Sequence, residues 1–91
     1  AAPFTHLRTV PEYGDKTFYS LGDLPPEIVW ASGRIIRPLT EQQLETLTDE
    51  GSPFILMTEK TLKDQPKNSH LLESIRTKRK TYSIYGINHD T

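Results

Sequence analysis

The run from Lys16 to Ile36, KTFYSLGDLPPEIVWASGRII, constrains the fold more than any other part of the chain. Thr17 to Leu21 reads as a strand, rich in Thr and aromatic residues, and it stops at Gly22. Pro25 and Pro26 suit the first turn of a helix, where a missing N–H costs nothing, and Asp23 is placed to cap it. Gly33 suits the left-handed position that ends a helix. Between these marks lie about two helical turns that bury Ile28, Val29 or Trp30. Arg34 to Pro38 then reads as a second strand with Ile35 and Ile36 inside. The segment is a compact β-α-β unit with both helix boundaries written in its residues.

The pattern continues downstream. Thr40-x-x-Gln43 is a capping box, and Leu39 with Leu44 forms a hydrophobic staple. Leu44 and Leu47 face the core, and Gly51 ends this helix. Pro53-Phe-Ile-Leu-Met57 is apolar with little alternation, as in a central strand covered on both faces. Thr58 is placed to cap a further short helix that buries Leu62 and ends before Pro66. Ser69 to Arg76 fits either a helix or a strand. The strand is preferred, because Thr81 to Tyr85 alternates clearly and the two can pair across a turn at 77–80. Upstream, Phe4, Leu7 and Val10 are spaced for a short helix ending before Pro11.

The chain has 91 residues, 34% hydrophobic and 25% charged, with a net charge of −1. That size predicts one domain burying roughly 60–65% of its unfolded surface. The charge balance predicts no general attraction to nucleic acid or to anionic membrane. With no Cys there is no disulfide frame and no thiolate metal site. The longest apolar runs fall far short of the ~20 residues of a membrane span. The chain begins Ala-Ala-Pro without an initiator Met, which suggests a processed chain or a fragment excised from a larger protein.

Chemistry-bearing patterns are sparse. His6, His70 and His89 are scattered, and no HxH, HExxH or CxxC spacing occurs. Gly51-Ser-Pro53 is a helix-to-strand turn and lacks the G-x-S-x-G form of a nucleophile elbow. The loop after the first strand holds one Gly where a dinucleotide fingerprint has three, and Asp23 would repel a phosphate. Glu41, Glu45, Asp49 and Glu50 decorate a helix face. Arg76-Thr-Lys-Arg-Lys80 is the one charge cluster, so Arg76, Lys78, Arg79 and Lys80 are the candidate contacts for an anionic lipid or phosphate. No catalytic residue, metal site or cofactor is expected.

The order of Phe18-Tyr-Ser-Leu-Gly22, Leu24-Pro-Pro26, Trp30 and Gly33-Arg34 resembles a known module. It is similar to the soluble C-terminal domain of polytopic glycosyltransferases that use polyprenyl-phosphate sugar donors, the protein mannosyltransferase and aminoarabinose transferase relatives. Glu41 to Glu50, Phe54-Ile-Leu-Met-Thr-Glu-Lys60 and the Tyr82 strand correspond to the later helix, strand and hairpin of that module. The family's first helix usually ends Phe-Tyr-Leu-Gly, whereas this chain has Val29-Trp-Ala-Ser-Gly33.

The resemblance implies a periplasmic or extracellular location at the cytoplasmic membrane. It implies partnership with the transmembrane part of the same polypeptide, and with a lipid-linked sugar or an acceptor. It places sugar transfer in the membrane part, so no catalytic residue carries over to this chain. The competing readings are a stand-alone α/β protein-interaction domain and, from the basic cluster, a small nucleic-acid-binding module.

The expected fold is a small Rossmann-like layered α/β domain, monomeric on its own. Three parallel strands near 16–21, 34–38 and 53–58 are joined by helical crossovers, and a C-terminal antiparallel hairpin pairs 70–76 with 81–87. The expected core is Phe18, Leu21, Ile28, Trp30, Ile35 and Leu44, with Leu47, Ile55, Met57, Leu62 and Ile84.

Overall fold

The computed structural model describes residues 13–14, 16–59, 68–78 and 80–88. They form a mixed α/β fold of five strands and two helices. In chain order these are β1 (Thr17–Leu21), α1 (Pro26–Ser32), β2 (Ile36–Leu39), α2 (Glu41–Glu50), β3 (Phe54–Thr58), β4 (Ser69–Arg76) and β5 (Thr81–Ile87). The strands make one sheet in the order β2-β1-β3-β5-β4. β1 pairs in parallel with β2 and with β3, while β5 pairs antiparallel with β3 and with β4.

Local chemistry accounts for the helix boundaries. α1 starts with Pro25 at the cap and Pro26 inside the first turn, so its earliest positions need no donor. It ends at Gly33 with φ 66°, where a side chain would be strained, and the Gly33 N–H bonds the Trp30 carbonyl at 3.2 Å. α2 carries the capping box in full. The Gln43 N–H donates to Thr40 Oγ1 at 3.1 Å, and the Thr40 N–H donates to Gln43 Oε1 at 2.9 Å.

Alternation along β3 divides the core in two. Ile55 and Met57 point to one face and pack with Phe18, Ile28, Ile75, Tyr82 and Ile84. Phe54 and Leu56 point to the other and pack with Leu44, Tyr85 and Ile87. α1 therefore covers one face through Ile28 and α2 the other through Leu44. All five β3 residues are buried, as an unalternating apolar run between two sheet neighbours requires. Fully burying one such side chain contributes about 1.5–3 kcal/mol.

Tyr13 closes the α1 face. It is 1% exposed, meets Phe18 edge-to-face at 5.6 Å between centroids, and its hydroxyl donates to Glu73 Oε2. Glu73 reaches that position because β4 carries an irregularity between Leu71 and Glu73, where Leu72 is the extra residue. Leu72 also lies close to Gly86, where a Cβ would meet its Cδ1 at 3.3 Å.

Several expectations are corrected. Trp30 and Ile35 are 81% and 80% exposed and lie outside the core. α1 turns Ile28 and Ser32, four residues apart, inward, so Trp30 lies well round the helix from that stripe. Ile35 precedes the first β1–β2 pair, Phe18 with Ile36, and it is Ile36 that packs on the core. β2 accordingly runs Ile36–Leu39, not 34–38. Asp23 does not cap α1; Pro25 holds that position. Leu21 and Leu47 are only half-buried, at the margin of the second cluster. Thr58 ends β3 as a buried residue, and the helix expected to start from it, with Leu62, lies outside the described residues. The expected helix at 1–10 lies outside them too. The preferred reading of Ser69 to Arg76 as a strand that pairs with the next one, by contrast, holds.

Candidate functional site

The basic cluster sits on the turn between β4 and β5, at the end of the sheet where β1 and β3 finish. Thr77 closes the turn. Its backbone N–H and its hydroxyl both donate to the Lys80 carbonyl, at 2.8 and 2.9 Å, and its Oγ1 accepts from the Lys80 N–H at 3.1 Å. Arg76, the last residue of β4, is exposed, and Lys78 is exposed in the turn. Strand alternation puts Arg76 on the face opposite the buried Ile75. Arg79 lies outside the described residues.

Lys80 is committed elsewhere. Its Nζ stands 3.1 Å from Glu59 Oε1, just beyond β3, and both side chains are nearly half exposed. A pair this open contributes at most about 1 kcal/mol. Burial raises the Tyr82 phenol above the ordinary tyrosine value. Lys80 opposes that shift, and Glu59 and Glu27 add to it. This end of the sheet is thus electrostatically mixed: Lys80 pairs with Glu59, and Glu59 and Glu27 both act on Tyr82. Arg76 and Lys78 are its exposed cations among the described residues that make no ion pair with a described carboxylate.

The loop after β1 holds no phosphate cradle. Gly22 takes φ 85°, Asp23 is exposed, and Pro25 and Pro26 have no N–H to offer. Ser52 lies in the turn between α2 and β3, where its carbonyl accepts from Asn88 Nδ2 at 3.3 Å. Among the described residues no group of three His, Cys, Asp or Glu could hold a metal ion, and no helix is long and apolar enough to cross a membrane. His70 is exposed on β4, while His6 and His89 lie outside the described residues.

One feature escaped the sequence reading. A groove of about 510 Å³ runs between β2 and α2, lined by Tyr19, Arg37, Leu39, Gln42, Thr46 and Leu47 among others. Tyr19 and Arg37 are register partners on neighbouring parallel strands, so their side chains stand beside each other on the face that α2 covers. Each lies inside an element that the sequence marks. Their juxtaposition depends on β2 pairing with β1, which spacing along the chain does not encode.

Comparison with known protein families, with characterised proteins and with solved structures finds no match to the chain.

Proposed function

We propose that this chain is the extracytoplasmic, non-catalytic domain of a membrane glycosyltransferase that moves a sugar from a polyprenyl-phosphate donor to a lipid or protein acceptor. The observation that carries the proposal is where the resembling residues fall in the fold. Gly22 and Gly33 hold the positive-φ joints before and after α1, and Pro25 with Pro26 starts it. Arg34 of the Gly-Arg pair bonds the Gly14 carbonyl at 2.7 Å and lies over the Phe18 ring. The motif that suggests the family is therefore the set of residues that builds β1-α1-β2. Within the same proposal, that run and its continuation into β3 form a Rossmann-like layered unit, a likeness supported by the two parallel pairings of β1.

The domain would work beside the transmembrane part of its own polypeptide, covering the active-site cavity or engaging the acceptor. Arg76 and Lys78 would face lipid phosphates or the lipid-linked donor. The experiment is to read the frame upstream of Ala1. Several hydrophobic spans of ~20 residues are expected there. A start codon directly before Ala1 would remove the proposal.

A further inference from the structure

We propose that the groove between β2 and α2 binds a sugar bearing an acidic group. The groove is an open surface depression of about 510 Å³, so an occupant would be held on one side and recognised by a few polar groups. Its chemistry is mixed. Leu39 and Leu47 supply apolar surface, and Tyr19 supplies a ring held edge-to-face against Phe54 at 5.4 Å.

Three polar ends remain available there. Gln43 is spent on the capping box, and the Thr46 hydroxyl donates to the Gln42 carbonyl at 3.1 Å. Among the described residues, the Arg37 guanidinium, the Tyr19 hydroxyl and the Gln42 side-chain amide have no such partner. A guanidinium presents a planar fork of donors that matches a carboxylate or a phosphate. An amide and a phenol can both donate to and accept from hydroxyls. A ring with an apolar C–H face, several hydroxyls and one anionic group satisfies all of these together. Gln42 and Thr46, four residues apart, share the stripe toward the groove, while helical spacing turns Glu41 and Glu45 away from it. Glu50, four residues after Thr46, is on the same stripe but one turn beyond the lining residues.

A peptide strand is the poorer occupant. The Gly22 N–H bonds the Leu39 carbonyl at 3.1 Å, which fixes which side of β2 faces β1. Ile36 and Pro38 then hold the outward backbone positions, and proline has no N–H to donate to an added strand.

The acidic group can be a uronic carboxylate or a sugar phosphate. Amide NMR titrations of the 91-residue chain with glucuronate, glucose 1-phosphate, glucose and inorganic phosphate separate these sources. Shifts centred on Arg37, Leu39, Gln42 and Thr46 are expected with glucuronate or glucose 1-phosphate, and the tighter of the two names the source. Glucose and inorganic phosphate should each bind about tenfold more weakly or worse, because each lacks half of the recognised chemistry. Arg37→Gln should weaken binding by about tenfold with the rest of the spectrum unchanged, since Arg37 is exposed. Absence of shifts in the groove, inorganic phosphate binding as tightly as the sugar acids, or Arg37→Gln binding like the parent would each overturn the assignment. The site requires no membrane setting, so its failure is distinguishable from failure of the glycosyltransferase proposal.

Discussion

Arg34 lays its guanidinium over the Phe18 ring, with the central carbon 4.7 Å from the ring centroid. The same side chain donates to the Gly14 carbonyl at 2.7 Å. It thus links the turn before β1, the first residues of β1 and the exit from α1. Arg34→Ala should lower stability by about 1–2 kcal/mol, from one cation–π contact and one charged hydrogen bond. Arg34→Lys should recover less than half of that, because an ammonium cannot both stack flat and reach Gly14. Urea denaturation of the three proteins measures it, and an Arg34→Ala midpoint equal to the parent would show that the stack does not hold the fold.

Asn88 ties the far end of the sheet together. Its N–H donates to the Asn68 carbonyl at 2.9 Å, and its side-chain amide donates to the Thr48 carbonyl at 2.9 Å. It does this at φ 57°, which few residues other than glycine tolerate. Asn88→Ala loses the side-chain bonds and meets the backbone strain, so about 2 kcal/mol of stability should go. Asn88→Gly relieves the strain and should lose less. If thermal melts rank Gly below Ala, backbone conformation is not what selects Asn there.

The helix boundaries offer a paired test. Thr40→Ala removes the hydroxyl that accepts from the Gln43 N–H and should cost about 1 kcal/mol. Gly33→Val places a β-branched residue at φ 66° and should cost more. A Gly33→Val protein that melts with the parent would mean that α1 can end in another way.

These boundaries were legible because each rests on residues adjacent in sequence. The Thr40–Gln43 box, the two prolines and the closing glycines act locally. The interior was harder to read. Trp30 and Ile35 look like core by composition, yet helix phase and strand register turn them outward. Tyr13 lies in the turn before β1, where nothing in its neighbours marks it as core, yet it is among the most buried side chains, and its hydroxyl finds Glu73 sixty residues away. The groove was invisible for the same reason. Tyr19 and Arg37 meet only through sheet order, whereas the 76–80 cluster is contiguous and was seen at once.

Burial raises the Tyr82 phenol, and Glu59 and Glu27 add to the rise against Lys80. A folded-state value above the unfolded one means that the neutral phenol favours folding. That contribution is fully present below the unfolded value, about pH 10, and is lost as pH climbs through the folded one. The parent should therefore lose stability more steeply above about pH 10 than Tyr82→Phe, whatever their difference at neutral pH. Urea midpoints measured across the alkaline range check this. Equal slopes would show that Tyr82 does not govern the alkaline limit.

The hairpin cations give the last test, and the Lys80–Glu59 pair sharpens it. Replacing Arg76, Lys78, Arg79 and Lys80 together by Gln should leave the fold intact, since exposed turn charges contribute little to stability. If this end of the sheet faces a membrane, the parent should sediment with anionic vesicles at low salt, and the fourfold variant should not. Each basic residue near such a surface is worth about 1 kcal/mol. The four are not equivalent, however. The Lys80 charge already meets Glu59 at 3.1 Å, so Lys80→Gln should weaken binding less than Arg76→Gln or Lys78→Gln. Glu59→Gln should strengthen it, by removing a carboxylate from the contacting surface and releasing Lys80. A parent chain that stays in solution with anionic vesicles at low salt would leave the cluster as the solvated turn of a hairpin, closed by Thr77 and nothing more.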